Sequence, residues 1–182
     1  MDTNYLDKFE NQLHDLVAVY LLQKDGVDNV LPETHDMEEK WEKICMSYLP
    51  DGVREFADYP TVSLGWMMFI GMAVAKFWDE DWEMYSKFED LYASVLAKGS
   101  GYDNMDEYIC RDILKLNPEE EEKVSKLVAD TATLVHKALI KENFEPATPE
   151  AFNAYVRSLH QLYYFGVAVE LKRLGYHMTP IG

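Results

Sequence analysis

The stretch Pro60-Thr61-Val62-Ser63-Leu64-Gly65-Trp66-Met67-Met68-Phe69-Ile70-Gly71-Met72-Ala73-Val74-Ala75 contains no charged residue. It is too long for a single strand and apolar on every side, which is the signature of a helix buried all round. A membrane span is the competing reading. Sixteen uncharged residues fall short of the roughly 20 needed to cross the hydrocarbon core, and they include Thr61, Ser63, Gly65 and Gly71. The stretch is therefore read as the central helix of a globule, over about residues 60–77.

Working outward, every flanking segment carries helical punctuation. On the N-terminal side, Leu6, Phe9, Leu13, Leu16, Val17 and Tyr20 recur at helical spacing from about Asn4 to Lys24, with a polar opposite face, and Asp25-Gly26 closes the segment. Thr34 is placed to cap a second helix carrying Met37, Trp41, Ile44, Cys45 and Tyr48, which Pro50 is expected to stop. Asp51-Gly52 then opens a connector in which Val53 to Asp58 form a short turn of helix.

On the C-terminal side, the pattern becomes amphipathic near Trp78-Asp79-Glu80, predicting a kink or tight turn before a helix that ends at Gly99. A shorter helix over 103–116 uses Tyr108, Ile109, Ile113 and Leu116. Asn117-Pro118 and Thr148-Pro149 each read as a cap followed by proline at the first helical position, and Gly175 terminates the last helix. Glu119 to Glu122 fall in a first helical turn, where the helix dipole favours acids. The sum is an all-α, single-domain bundle (1–182) of six to seven helices around 60–77, with a short tail from about 176.

Gly71-Met72-Ala73-Val74 is echoed by Gly166-Val167-Ala168-Val169. Glycine inside a helix costs roughly 1 kcal/mol relative to alanine and is tolerated best where another backbone must come close. The echo predicts a tight crossing of the central and last helices, with a ligand pressed against the two glycines as the lesser alternative.

The 33 acids outnumber 17 bases, for a net charge of −16, which repels nucleic acid and anionic lipid. Neither is expected as a partner. Residues 1–91 hold 20 acids and 7 bases, so a cationic partner should favour that half. Cys45 and Cys110 form neither a disulfide framework nor a zinc motif. Met1-Asp2-Thr3-Asn4-Tyr5 lacks the basic and apolar segments of a secretory signal, so a cytoplasmic protein is expected.

No nucleophile elbow, phosphate loop, HExxH, paired ExxH or EF-hand loop is present. Four groupings remain. If the helix runs unbroken from Trp78, then Trp78, Asp81, Trp82, Tyr85, Phe88, Glu89, Tyr92 and Leu96 share one face, an aromatic and acidic groove suited to a cation. Glu170 lies in the apolar stripe of the last helix with His160 at its edge, either as a buried acid held by an ion pair or a tyrosine hydroxyl, or as a general base or metal ligand in a pocket. Glu10 and His14 have the spacing of two metal ligands on one helical face, an incomplete set. Trp66, Met67 and Phe69 are core residues that could also line an apolar ligand cavity. His136 and His177 have no matched acid at ligand spacing, His35 sits in a first helical turn, and all three read as bystanders.

The leading expectation is a non-catalytic acidic interaction or regulatory module, acting on a protein partner or by self-association and needing no cofactor. The alternatives are a binder of a small cationic or apolar ligand in an interhelical pocket, and an enzyme using carboxylates on helix faces.

Overall fold

The structure, a computed structural model, describes residues 3–87, 90–93 and 101–176. Eight helices are present among them and no strand: α1 (Thr3–Gln23), α2 (His35–Glu38), α3 (Trp41–Asp58), α4 (Pro60–Glu80), α5 (Trp82–Lys87), α6 (Met105–Tyr108), α7 (Pro118–Glu142) and α8 (Pro149–Arg173). The fold is an all-α bundle around α4. From Ser63 to Ala75 every residue of α4 except Trp66 is buried. Its main partner is α8, followed by α7 and α3, while α1 lies against α8 and α7. By length and composition α4 could cross a membrane, but 67% of its apolar window is covered by the rest of the chain.

The glycine echo is realised as a helix crossing. A Cβ on Gly166 would come within 3.0 Å of the Met68 carbonyl oxygen, and one on Gly71 would come equally close to the Tyr163 carbonyl. The two backbones meet at a distance no other residue type permits.

Several boundaries follow their sequence signals. Asn117 accepts from the Glu120 amide at 2.8 Å while Glu120 accepts from the Asn117 amide at 3.1 Å, a reciprocal cap that opens α7. Thr148 accepts from the Ala151 amide at 3.2 Å and opens α8. Past α8, Gly175 takes a left-handed φ of 97°. At the end of α1 it is Asp25, not Gly26, that turns left-handed, with φ 61°.

Others differ. Pro50 does not stop α3, which runs on to Asp58. The proline orphans the carbonyl of Met46, but Met46 is 68% exposed and water can satisfy that group. The helix beyond is held from outside: the Gly52 carbonyl accepts from Ser63 Oγ at 2.8 Å, and Ser63 Oγ also meets the Tyr155 hydroxyl at 2.5 Å. The helix expected from Thr34 is a single turn that ends at Glu38, with Thr34 making no side-chain cap to it. The helix expected over 103–116 is a composite: a 3₁₀ turn (Tyr102–Asn104), α6, and a π turn over Ile109–Ile113.

On α1 the buried residues are Leu6, Phe9, Leu13, Val17 and Leu21. Leu16, assigned to that face from the sequence, is 42% exposed. It continues into Val19 and Leu22, which are 55% and 41% exposed on the face expected to be polar.

Candidate functional site

Two polar stripes meet where α1 lies on α8. Asp7, Glu10 and His14 on α1, and Arg157, His160 and Gln161 on α8, follow helical spacing and face one another. Arg157 Nη1 donates to Asp7 at 2.6 Å and to Glu10 at 2.9 Å. Gln161 Nε2 donates to Glu10 at 2.6 Å, and its Oε1 lies 2.7 Å from His14 Nδ1, so that nitrogen carries the proton. His160 Nδ1 donates to Glu10 at 3.0 Å, its Nε2 bonds Glu38 of α2, and Trp41 stacks on the imidazole with centroids 4.9 Å apart.

With a carboxylate at each nitrogen, His160 is an imidazolium. Burial alone would lower its pKa, but hydrogen bonds to Glu10 and Glu38 and their charges outweigh burial and lift it to about 9. Burial would likewise raise Glu10, but His160, Gln161 and Arg157 hold it down at about 2. Neither group is matched to proton transfer near neutrality: the imidazolium has no free lone pair, and the carboxylate is a very weak base.

Glu38 belongs to a strap, residues 27–40, whose only helix is the one-turn α2. Other elements tie its backbone down. Tyr163 donates to the Met37 carbonyl at 2.6 Å, Tyr164 to the Pro32 carbonyl at 2.8 Å, and Tyr85 to the Asp36 carbonyl at 2.7 Å. The strap forms one wall of a cleft of about 280 Å³; the end of α8, Trp78 and Tyr176 form the other.

The sequence-derived candidates divide accordingly. Glu10, His14 and His160, singled out separately, come together, though as an ion-pair network. Among the described residues no group of three or more His, Cys, Asp or Glu could hold a metal. Glu170 is 1% exposed and accepts from Arg173 at 2.7 Å; burial raises its pKa, and Arg173 works against that rise. Trp78, Asp81, Trp82, Tyr85 and Tyr92 do not share a face, because the helix breaks at Asp81 (φ −137°, ψ 68°). Trp78 stays with the cleft, and Asp81 caps α5 through the Met84 amide at 3.1 Å. Trp82 and Tyr85 line a second cleft, where Lys40 sits 4.4 Å from the Tyr85 centroid. Tyr92 bonds Asp51. Phe88, Glu89, Leu96 and His177 lie outside the described residues.

Met67 and Phe69 are core residues at 0% and 2% exposure. Trp66 Nε1 donates to the Tyr102 carbonyl at 2.7 Å. His136 meets the edge of Phe56, and burial lowers its pKa. Burial pushes the Cys45 thiol up to about 11 and that of Cys110 to about 12, far from reactive thiolates.

Glu38, Trp41, Arg157 and Gln161 were not found from the sequence. For Arg157 and Gln161 a signal existed, since they flank His160 on one face of α8. Glu38 and Trp41 join only through the path of the strap. No family model matches the chain, nor does any curated protein or solved structure.

Proposed function

We propose that this chain is a non-catalytic interaction module that docks a partner protein along α1. The observation that carries the reading is the row Leu16, Val19 and Leu22, three aliphatic side chains on successive turns of α1, 41–55% exposed. Single exposed leucines need no explanation, whereas a contiguous row marks a contact surface. The excess of acids over residues 1–91 selects the partner's chemistry: an apolar contact face with a basic rim. The pairing of Glu10, His160 and Glu170 with fixed charges supports the non-catalytic half of the reading.

The test is quantitative capture of proteins on the immobilised wild-type chain and on a Val19→Asp, Leu22→Asp double variant shown by circular dichroism to keep its helix content. The expected result is a partner whose recovery falls about tenfold or more on the variant and which elutes as salt rises. Equal recovery on both proteins overturns the docking surface. Consumption of a small molecule from a cell extract, abolished in Glu170→Gln, overturns the non-catalytic assignment.

A further inference from the structure

The cleft behind the strap has the composition of a ligand site. Its floor and walls include Val27, Val30, Met37, Leu171 and Trp78, and the Trp78 and Tyr176 rings lie 5.6 Å apart, tilted by 60°. Its volume is about 280 Å³, and a pocket mostly apolar with a few convergent polar groups is the usual form of a small-molecule site.

The polar groups on its margin are unevenly charged. Lys172 is held by Asp25 at 2.8 Å and Asp28 at 3.3 Å, so its charge is neutralised inside the chain. Glu33 reaches His35 at 3.5 Å. Asp36, in the first turn of α2, adds a further negative charge on the strap side. Beside it Thr34 is only 9% exposed and lines the cleft, and its hydroxyl makes no cap to the helix it precedes. Thr34 thus lines the cleft with a hydroxyl that is not engaged in capping α2, the usual role of a threonine at that position.

We infer that the cleft binds a small amphipathic amine: the apolar body lies against Val27, Val30 and Leu171, and the ammonium group is taken by Asp36, the Thr34 hydroxyl and the Trp78 ring face. A carboxylate, a hydroxyl and an aromatic face together suit a cation that also donates hydrogen bonds. None of the lining residues belongs to α1, so this site stands independently of the docking row.

Three probes of closely similar shape and different charge test it: 3-phenylpropan-1-amine, 3-phenylpropan-1-ol and 3-phenylpropanoate, titrated against the full chain by calorimetry and by Trp fluorescence. The amine is expected to bind at least about tenfold more tightly than the alcohol, and the acid least of all. Asp36→Asn, at an exposed position, should bring the amine down to the level of the alcohol and leave the alcohol unchanged. Trp78→Leu should weaken both. Equal binding of all three probes, preference for the acid, absence of amine binding at millimolar concentration, or an Asp36→Asn variant with undiminished amine affinity overturns the proposal.

Discussion

Gly71 of α4 and Gly166 of α8 sit back to back, each within contact of the other helix's carbonyl chain. A Cβ built on Gly166 would stand 3.2 Å from the Gly71 Cα and inside 3.0 Å of the Met68 oxygen. Both obstacles are backbone, which cannot swing aside as a side chain can.

Gly166→Ala is therefore expected to destabilise the protein by about 3 kcal/mol or more, the upper range for overpacking in a close-packed interior. Gly65→Ala on the same central helix is the control. Its Cβ would meet the Val128 side chain at 3.3 Å, and the helix propensity of alanine offsets the crowding, so a change within about 1 kcal/mol is expected. Urea unfolding of the two variants checks the contrast, and a Gly166→Ala protein as stable as wild type refutes the crossing.

The Glu10–His160–Glu38 network predicts a pH profile. His160 is raised from 6.5 to about 9, so its contribution is complete below about 6.5 and disappears as pH climbs through about 9. Glu10 is depressed from 4.5 to about 2, so its contribution is present above about 4.5 and disappears as pH falls through about 2. The two share one hydrogen bond, and its energy counts once. Stability should be flat between about 4.5 and 6.5 and fall by about 3 kcal/mol from pH 6.5 to 9, at about 1.4 kcal/mol per tenfold change in affinity for the proton. In His160→Gln that alkaline slope should vanish; a slope that survives the substitution points to other groups.

Tyr163→Phe removes the hydroxyl that donates to the Met37 carbonyl and leaves a buried acceptor unpaired, for a loss of about 1–3 kcal/mol. The loss should be local as well as global. Amide hydrogen exchange in residues 34–40 is expected to accelerate more than that of α4, and uniform acceleration across the chain would show that the strap has no separate opening.

What the sequence made legible was local. Asn117-Pro118, Thr148-Pro149 and the apolar run from Pro60 announce their helices because capping and burial act over a few residues, and the Gly71 and Gly166 pair announced a crossing because glycine has few other uses inside a helix. Pro50 misled because its cost depends on whether the Met46 carbonyl reaches water, which is a tertiary fact. Leu16 misled because α1 turns its core face by a few tens of degrees toward Val17. Of the polar network, Glu10, His14 and His160 stood out as anomalies on their own helices, but Glu38 and Trp41 are carried to them by a strap of almost no regular structure, which periodicity cannot trace. The stripe from Trp78 to Tyr92 depended on an unbroken helix, and Asp81 decided otherwise.

The strap has a consequence in time. Its fastenings to α8 join residues 122, 126 and 132 positions apart, so nothing the ribosome has produced when residue 40 emerges can hold it. At about 5–20 residues per second, on the order of ten seconds pass before Tyr163 and Tyr164 exist. During that interval the carbonyls of Pro32 and Met37 bond to water and the cleft has no wall. The cleft thus gains its second wall only when the end of α8 is made, although nine of its fourteen lining residues, between Val27 and Met37, are synthesised much earlier.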